Sequence, residues 1–441
     1  MDSLKTQLTK SLRDFNWWFV FKVGGVVCAL VLFLQTLPLS QGIAPLKNWR
    51  YQTLLPYEAH QHEERVGHPD HVIPNIVHFV YLVEDPTQAD ISFSLRCFIA
   101  IYSAHYYLHP EIIYIHTNLD QGVIDNVWNT CGDTYVKAVG QLPNVKFNRH
   151  IAPNATSTNK TIDRLPNQSD FVRTDVLKIY GGVYLDDDSY VLRDLRPFRH
   201  MGFEMVTGRQ SNGQLCPAVM LSTPENKMIT AYHALQDKIF DGSWAMHATD
   251  LLTALVYEFA ESKHMSLILP SDTFFPGSWY KNDLEEIYQQ HDNFDDHHKP
   301  VYQNHPISNL TDFVETFKLD HALGGGHGRK TEHAWKYDWR LSYVLHGWTS
   351  GIRDSFSDQE VKKLFGKHGE PDLDYILSRK SNFARAVYPA VQHALETGIL
   401  SIYQEYKVLT ESPMNNGTDF TPELSDKEKQ LEKLGSKEDS Q

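Results

Sequence analysis

The sequence predicts an α/β fold, Rossmann-like with a mostly parallel sheet, behind an N-terminal transmembrane helix. Three observations carry this. Short strand-type runs alternate with helical stretches through the middle of the chain, the order expected of βαβ units. The run Val183-Tyr184-Leu185 ends abruptly in Asp186-Asp187-Asp188, and in open α/β sheets ligands bind outside the carboxyl ends of strands. Near the N-terminus, Trp17 to Leu39 is largely apolar and carries Lys22 as its one charge.

That apolar stretch is long enough for a bilayer core, which takes roughly 20 helical residues. A cleaved signal peptide and a buried core helix are the competing readings; the length and the lack of a clear small-residue cleavage site before Pro38 favour the anchor. Lys5, Lys10, Arg13 and Lys22 outnumber Asp2 and Asp14, so residues 1–16 are expected in the cytosol and the bulk of the protein in a lumen. Residues 40–72 have no sustained period and read as a stem. The N-x-S/T triplets at Asn154, Asn159, Asn167, Asn309 and Asn416 agree with a lumenal domain. Asn167 lies too near the acidic stretch to be expected to carry a glycan.

Composition narrows the partners. A formal charge of -14 over 441 residues argues against nucleic acid, whose phosphates would repel the chain. Four cysteines, one of them Cys28 in the apolar run, allow at most one internal disulfide outside it and exclude a disulfide scaffold.

The main domain is expected over residues 73–354. Ile73 to Leu82 reads as a buried opening strand, Phe93 to Tyr107 as a helix, and Glu111 to His116 as the next strand. A helical patch near Val123 to Trp128 and a strand around Val145 to Phe147 follow, then a polar loop. Phe171, Val172, Val176, Ile179 and Tyr180 recur at helical spacing; Ser169 is the expected N-cap, which places Asp170 in the first turn. Gly181-Gly182 supplies a left-handed stop. Neither a dinucleotide fingerprint nor a P-loop occurs anywhere.

Three carboxylates in a row cannot be buried bare, so they face water or a cation. The alternating pair Asp186 and Asp188 can present hard oxygen ligands to Mg²⁺ or Mn²⁺, leaving positions for diphosphate oxygens. A solvated acidic turn is the plainer alternative, but two glycines, an aromatic strand and a helix bearing Asp170 and Arg173 exceed what a surface turn needs.

The pattern S-D-x-x-R, helix, G-G-V-Y-L-D-x-D resembles the DXD-type sugar-binding region of glycosyltransferase family 32, which groups yeast initiating α-1,6-mannosyltransferases, inositol-phosphoceramide mannosyltransferases and animal α-1,4-galactosyltransferases. The large clostridial glucosylating toxins carry a similar stretch. The resemblance implies a GT-A-like nucleotide-sugar-binding domain in which Asp186 and Asp188 hold the metal and diphosphate, while Asp170, Arg173 and Tyr184 contact the donor. Asp187 fills the variable middle position and receives no ligand role. Ile73-Pro74-Asn75-Ile76-Val77-His78 is similar to the family's opening strand, which makes His78 and Tyr81 candidate base contacts; a core histidine and a packing tyrosine are the alternatives. Tyr343 to Trp348 resembles its H-x-W element and makes His346 a candidate metal or diphosphate ligand.

Also implied are a retaining hexosyl transfer, a donor of GDP-mannose or UDP-galactose, a glycan or glycolipid acceptor, and a Golgi type II membrane topology. No residue is assigned as catalytic nucleophile. A membrane-anchored, Ca²⁺-dependent carbohydrate-binding protein and a metal-dependent hydrolase are the rival readings.

Beyond the acidic stretch, Met205 to Thr207, Ala218 to Leu221 and Leu267 to Leu269 read as strands, and Lys227 to Phe240 and Thr249 to Phe259 as helices. Ser271 to Trp279 resembles the family's F-Y-P segment, whose aromatics would stack on a sugar or close the core. Gly324 to Lys330 is glycine-rich enough for a closing loop, with Lys330 a possible diphosphate contact, or for a plain connection. Residues 355–410 are expected to form a helical extension and 411–441 a disordered tail.

Overall fold

In the computed structural model, residues 71–87, 91–292, 337, 339–366 and 368–400 are described. The expected anchor at 17–39, nearly all of the stem, the loop with Lys330, the triplets at Asn309 and Asn416, and the tail lie outside them. Among the described residues no helix is long and apolar enough to cross a membrane.

The centre is a seven-stranded sheet in the order β3-β2-β1-β4-β7-β6-β8. Its strands are β1 (Ile76–Val80), β2 (Ile112–Thr117), β3 (Val145–Arg149), β4 (Gly182–Leu185), β6 (Met205–Arg209), β7 (Leu215–Ser222) and β8 (Ser266–Leu269). β1 pairs in parallel with both β2 and β4, β2 with β3, and β6 with β8. Only β7 is reversed, antiparallel to β4 and β6. The largely parallel α/β sheet expected from strand–helix alternation is therefore present, with one reversed strand. A separate antiparallel ribbon joins β5 (Ser189–Val191) to β9 (Val344–His346).

Each face of the sheet buries a different set of side chains because successive residues point to opposite sides. Val77, Phe79, Ile113, Ile115, Val183 and Leu185 enter the larger core, with α1 (Leu95–Leu108). Ser94 caps α1, accepting from Cys97 N at 3.2 Å. Ten of the fourteen α1 residues are buried, as befits a helix covered on both sides. The covering elements include the C-terminal segment: Phe365, Ile376, Phe383 and Val387 belong to that same core, and Tyr102 of α1 bonds His393 Nδ1 at 2.9 Å. The helical extension is thus built into the same core as the sheet rather than appended to it. Tyr184, Met205 and Met220 point to the opposite face, under α5 (Lys227–Ile239) and α6 (Leu251–Glu258). Between them in sequence lie α2 (Gln121–Thr130), α3 (Thr134–Gly140) and α4 (Leu165–Tyr180).

α4 corrects one expectation. It begins at Leu165, a turn before Ser169, with Arg164 as N-cap and a proline in its first turn. Proline at that place loses no hydrogen bond and has φ preset for helix. Ser169 and Asp170 therefore lie inside the helix, and Asp170 owes nothing to the first-turn dipole. Asn167 is buried at 2% exposure, which closes it to glycosylation in the folded chain, whereas Asn154 and Asn159 are exposed.

The Gly181-Gly182 stop is required sterically. Gly181 adopts φ +62 and Gly182 φ +96, and a Cβ on Gly182 would stand 2.4 Å from the carbonyl oxygen of Ile76. Neither the conformation nor the space suits a side chain. Gly182→Ala is expected to destabilise the fold by about 3 kcal/mol, read by urea denaturation; an unchanged midpoint would refute this.

The three described cysteines, Cys97, Cys131 and Cys216, are buried free thiols.

Candidate donor and metal site

The site begins where β4 leaves the sheet. Asp186 N donates to Ala218 O at 2.9 Å, and Ser189 N to Asp186 O at 2.9 Å, closing a turn over Asp186 to Ser189. Asp187 points outward and is exposed. Asp188 is buried at 9% exposure.

The ribbon delivers the third group. Ser189 on β5 stands opposite His346 on β9, so the imidazole arrives beside Asp188. His346 Nε2 is 3.1 Å from Asp188 Oδ1 and 3.9 Å from Asp186 Oδ2. Gly347 N donates to Asp188 O at 2.7 Å and Thr349 N to Asp188 Oδ2 at 2.9 Å, which fixes the carboxylate. Donor atoms of Asp186, Asp188 and His346 all lie within 4.8 Å of one another. Two carboxylates and an imidazole on one spot suit a hard divalent ion.

The electrostatics point the same way. Burial pushes the Asp188 carboxyl up, but the His346 imidazole and the Thr349 N–H outweigh it and hold the group well below the usual carboxylate range. Burial raises Asp186 despite Arg173 beside it. His346 is pulled down by burial and raised further by Asp188, so it ends above its ordinary value. Without a cation, protons offset the crowded carboxylates; a divalent ion would take their place.

Behind the pair stands Arg173, anchored on α4. Its Nη2 lies 3.2 Å from Asp170 Oδ1 and 3.2 Å from Asp186 Oδ1. Its guanidinium sits 4.8 Å from the centre of the Tyr184 ring, whose hydroxyl donates to Asp186 Oδ1 at 2.6 Å. Burial lowers the Arg173 pKa, and the surrounding carboxylates more than reverse it. Among the described residues, Arg173 Nε, His346 Nδ1 and Trp348 Nε1 are all buried without a hydrogen-bond partner. Buried polar atoms of this kind call for a missing water, ion or ligand.

Asp170, Arg173, Tyr184, Asp186, Asp188 and His346 are thus brought together. His78 and Tyr81 are not. His78 is fully buried; its Nε2 lies 2.7 Å from Gly181 O and its Nδ1 2.9 Å from His116 Nε2. Burial pushes its pKa to about 4, against the raising effect of the Gly181 carbonyl, so the ring is neutral. A neutral ring that gives Nε2–H to Gly181 must accept at Nδ1, and His116 in turn accepts from Asn148 Nδ2 at 3.1 Å. Both nitrogens of His78 are taken, so it is a core histidine pinning the Gly181 turn. Tyr81 is half-buried against Phe93, ring centres 5.2 Å apart, and donates to Ser92 O at 3.1 Å. The F-Y-P aromatics divide as well. Phe274 and Phe275 are fully buried, while Trp279 is half-buried and packs on Trp348 with ring centres 5.5 Å apart.

The structure adds His247, whose Nε2 lies 2.9 Å from Asp170 Oδ2. No sequence period marks it, because it sits in a π-helical turn, Met246–Asp250, ahead of α6. Trp348 was noted only for its place in the H-x-W element; its unpartnered indole nitrogen emerges from the packing alone.

Residues 98–210 match the family model described as "Glycosyltransferase sugar-binding region containing DXD motif". The chain is similar to glucan organizing enzyme 1 of Cryptococcus neoformans var. grubii, 22% identical over 229 residues that make up 49% of this chain and 58% of that protein. It therefore spans little more than half the length of that relative. Among solved structures it is similar to PaToxG glycosyltransferase at 17% identity, covering 49% of this chain and 78% of the other with TM-score 0.32. It is also similar to glycosyltransferase GlyE of Streptococcus pneumoniae TIGR4 at 10% identity, covering 74% and 64% with TM-score 0.34. The chain accordingly carries a DXD-type glycosyltransferase sugar-binding region. That region contains Asp170, Arg173, Tyr184, Asp186 and Asp188, and His247 and His346 lie beyond it.

Proposed function

We propose that this chain is a retaining glycosyltransferase of GT-A-like fold that moves a hexosyl group, mannose or galactose, from GDP-mannose or UDP-galactose to a hydroxyl of a glycan or glycolipid. The reading extends to family 32 membership and to a Golgi type II protein anchored by residues 17–39. The observation that carries it is the convergence of Asp186, Asp188 and His346 on one point, within 4.8 Å, with the Arg173 guanidinium against Asp186.

Asp186, Asp188 and His346 would hold Mn²⁺ or Mg²⁺. Bound there, the ion supplies positive charge to the diphosphate leaving group as the glycosidic bond breaks. Arg173 adds a fixed positive charge in a site from which water is largely excluded, where it is worth more than in bulk. The Trp348 indole N–H is a further donor for a diphosphate oxygen. Asp170 accepts a hydroxyl of the donor sugar and so orients the anomeric carbon. No carboxylate is assigned as nucleophile; the departing phosphate can take the acceptor proton.

Manganese-dependent release of nucleoside diphosphate from a panel of nucleotide sugars, with transfer to a glycan or glycolipid acceptor, tests the proposal. Sugar binding without turnover would favour the carbohydrate-binding alternative, and donor hydrolysis without transfer would favour the hydrolase.

A pH dependence follows from His346. Its folded pKa lies above the ordinary 6.5, so its pairing with Asp188 stabilises the metal-free protein fully below that pH and less as pH rises through the raised value. A proton and a cation compete for Nε2, so metal binding releases a proton. The rise in thermal midpoint on adding Mn²⁺ is therefore expected to be small at pH 5.5 and to grow through neutrality. A shift of equal size at both ends would remove His346 from the site.

A further inference from the structure

Asp170 is gripped on both oxygens. Oδ1 faces Arg173 at 3.2 Å, while Oδ2 faces His247 Nε2 at 2.9 Å. His247 is fully buried, stacked on Phe171 with ring centres 5.8 Å apart and edge-on to Phe240 at 4.9 Å. Among the described residues its Nδ1 has no partner, and the bond to Asp170 is the ring's one polar contact. Because that partner is a carboxylate oxygen, Nε2 carries the proton and donates.

The backbone delivering this ring departs from regular helix. Asp250 N donates to Ala245 O at 3.0 Å, the i to i+5 bond of a π turn, a geometry found mostly at functional sites. Trp244, just before the turn, and Met246, its first residue, are 55% and 42% exposed, so a buried ring is carried on a solvent-facing segment. A second brace comes from α5: Gln236 Nε2 donates to the backbone carbonyl of Asp170 at 3.2 Å, and Gln236 Oε1 accepts from Thr174 Oγ1 at 2.7 Å. Arg173 and His247 hold the two carboxylate oxygens, and Gln236 braces the helix backbone that carries them.

We infer that His247 is a positioning residue for glycosyl transfer: its Nε2–H fixes the rotation of the Asp170 carboxylate, and through it the sugar hydroxyl that Asp170 accepts. The inference rests on the donor-site reading above. Released from His247, the carboxylate can rotate about its own bond, and the sugar loses its orientation while the diphosphate keeps its own contacts.

His247→Phe keeps the aromatic packing and removes the donor; His247→Gln restores an N–H at nearly the Nε2 position. With UDP-galactose and GDP-mannose as probes, His247→Phe is expected to lower kcat about 30- to 100-fold, as loss of orientation does. Affinity for UDP or GDP with Mn²⁺, by calorimetry, should stay within about twofold of wild type, because that contact runs through Asp186, Asp188 and Arg173. His247→Gln should recover at least about a third of the lost rate on a logarithmic scale. Unchanged kcat in His247→Phe overturns the inference, as does an equal loss of nucleoside diphosphate affinity, which marks a structural role. If His247→Phe does not fold, His247→Leu, which also lacks the donor, carries the same split between kcat and affinity. Absence of any transfer by the wild-type protein would instead defeat the donor-site reading itself.

Discussion

Asp188→Asn is expected to lower turnover by at least about a thousandfold, the scale of losing charge stabilisation at a leaving group, while the thermal midpoint moves by a few degrees at most. The amide is nearly isosteric and its oxygen can still accept the Thr349 N–H, which meets Asp188 Oδ2 at 2.9 Å. What it lacks is charge. The native carboxyl is held below its usual range, so it contributes stability above the unfolded pKa near 3.9, and that part is lost on substitution. Relief of crowding against Asp186 offsets some of it, since burial and the neighbouring Asp188 both push Asp186 upward. Asp186→Asn should behave alike in turnover. Nucleoside diphosphate release and a melting curve decide the matter together. Wild-type turnover, or a variant that no longer folds, would remove these residues from the metal site.

Arg173→Met should act on stability as well as rate. The arginine side chain is 8% exposed and lies between Asp170 and Asp186, at 3.2 Å from each. Removing one partner of a buried charge cluster strands the rest, typically by about 3–5 kcal/mol. Adding Asp170→Asn to Arg173→Met should recover part of that stability, because one stranded charge goes with it, and none of the activity. Urea midpoints of the single and double variants measure the difference. A single variant as stable as wild type would mean that the guanidinium is not what holds these carboxylates together.

The early start of α4, at Leu165, has a local cause. Ser169 is a good cap residue in isolation, yet Pro166 was the stronger signal, because a proline tolerated in the first turn marks the start more firmly than a serine that can also sit inside a helix. The reversed strand has a similar lesson. Strand–helix alternation favours parallel pairing, but β6 and β7 are joined by only the few residues between Arg209 and Leu215, too short for a crossover, so the pair had to be antiparallel. His78 misleads for a different reason. Its place on an opening strand fits a base contact, but only the packing of His116, Asn148 and the Gly181 carbonyl shows that both its nitrogens are already used.

The sequence by itself determined the strand that ends in Asp186 and Asp188, the two glycines before it and the helix bearing Asp170 and Arg173. These are short-range matters: periodicity, left-handed backbone and the impossibility of burying bare carboxylates act within about twenty residues. The tertiary structure decided which distant groups meet them. His346 reaches Asp188 through the pairing of β5 with β9, and His247 reaches Asp170 through a π turn packed on Phe171 and Phe240. Such meetings depend on how separate elements bury their apolar faces against one another, and no local pattern encodes that.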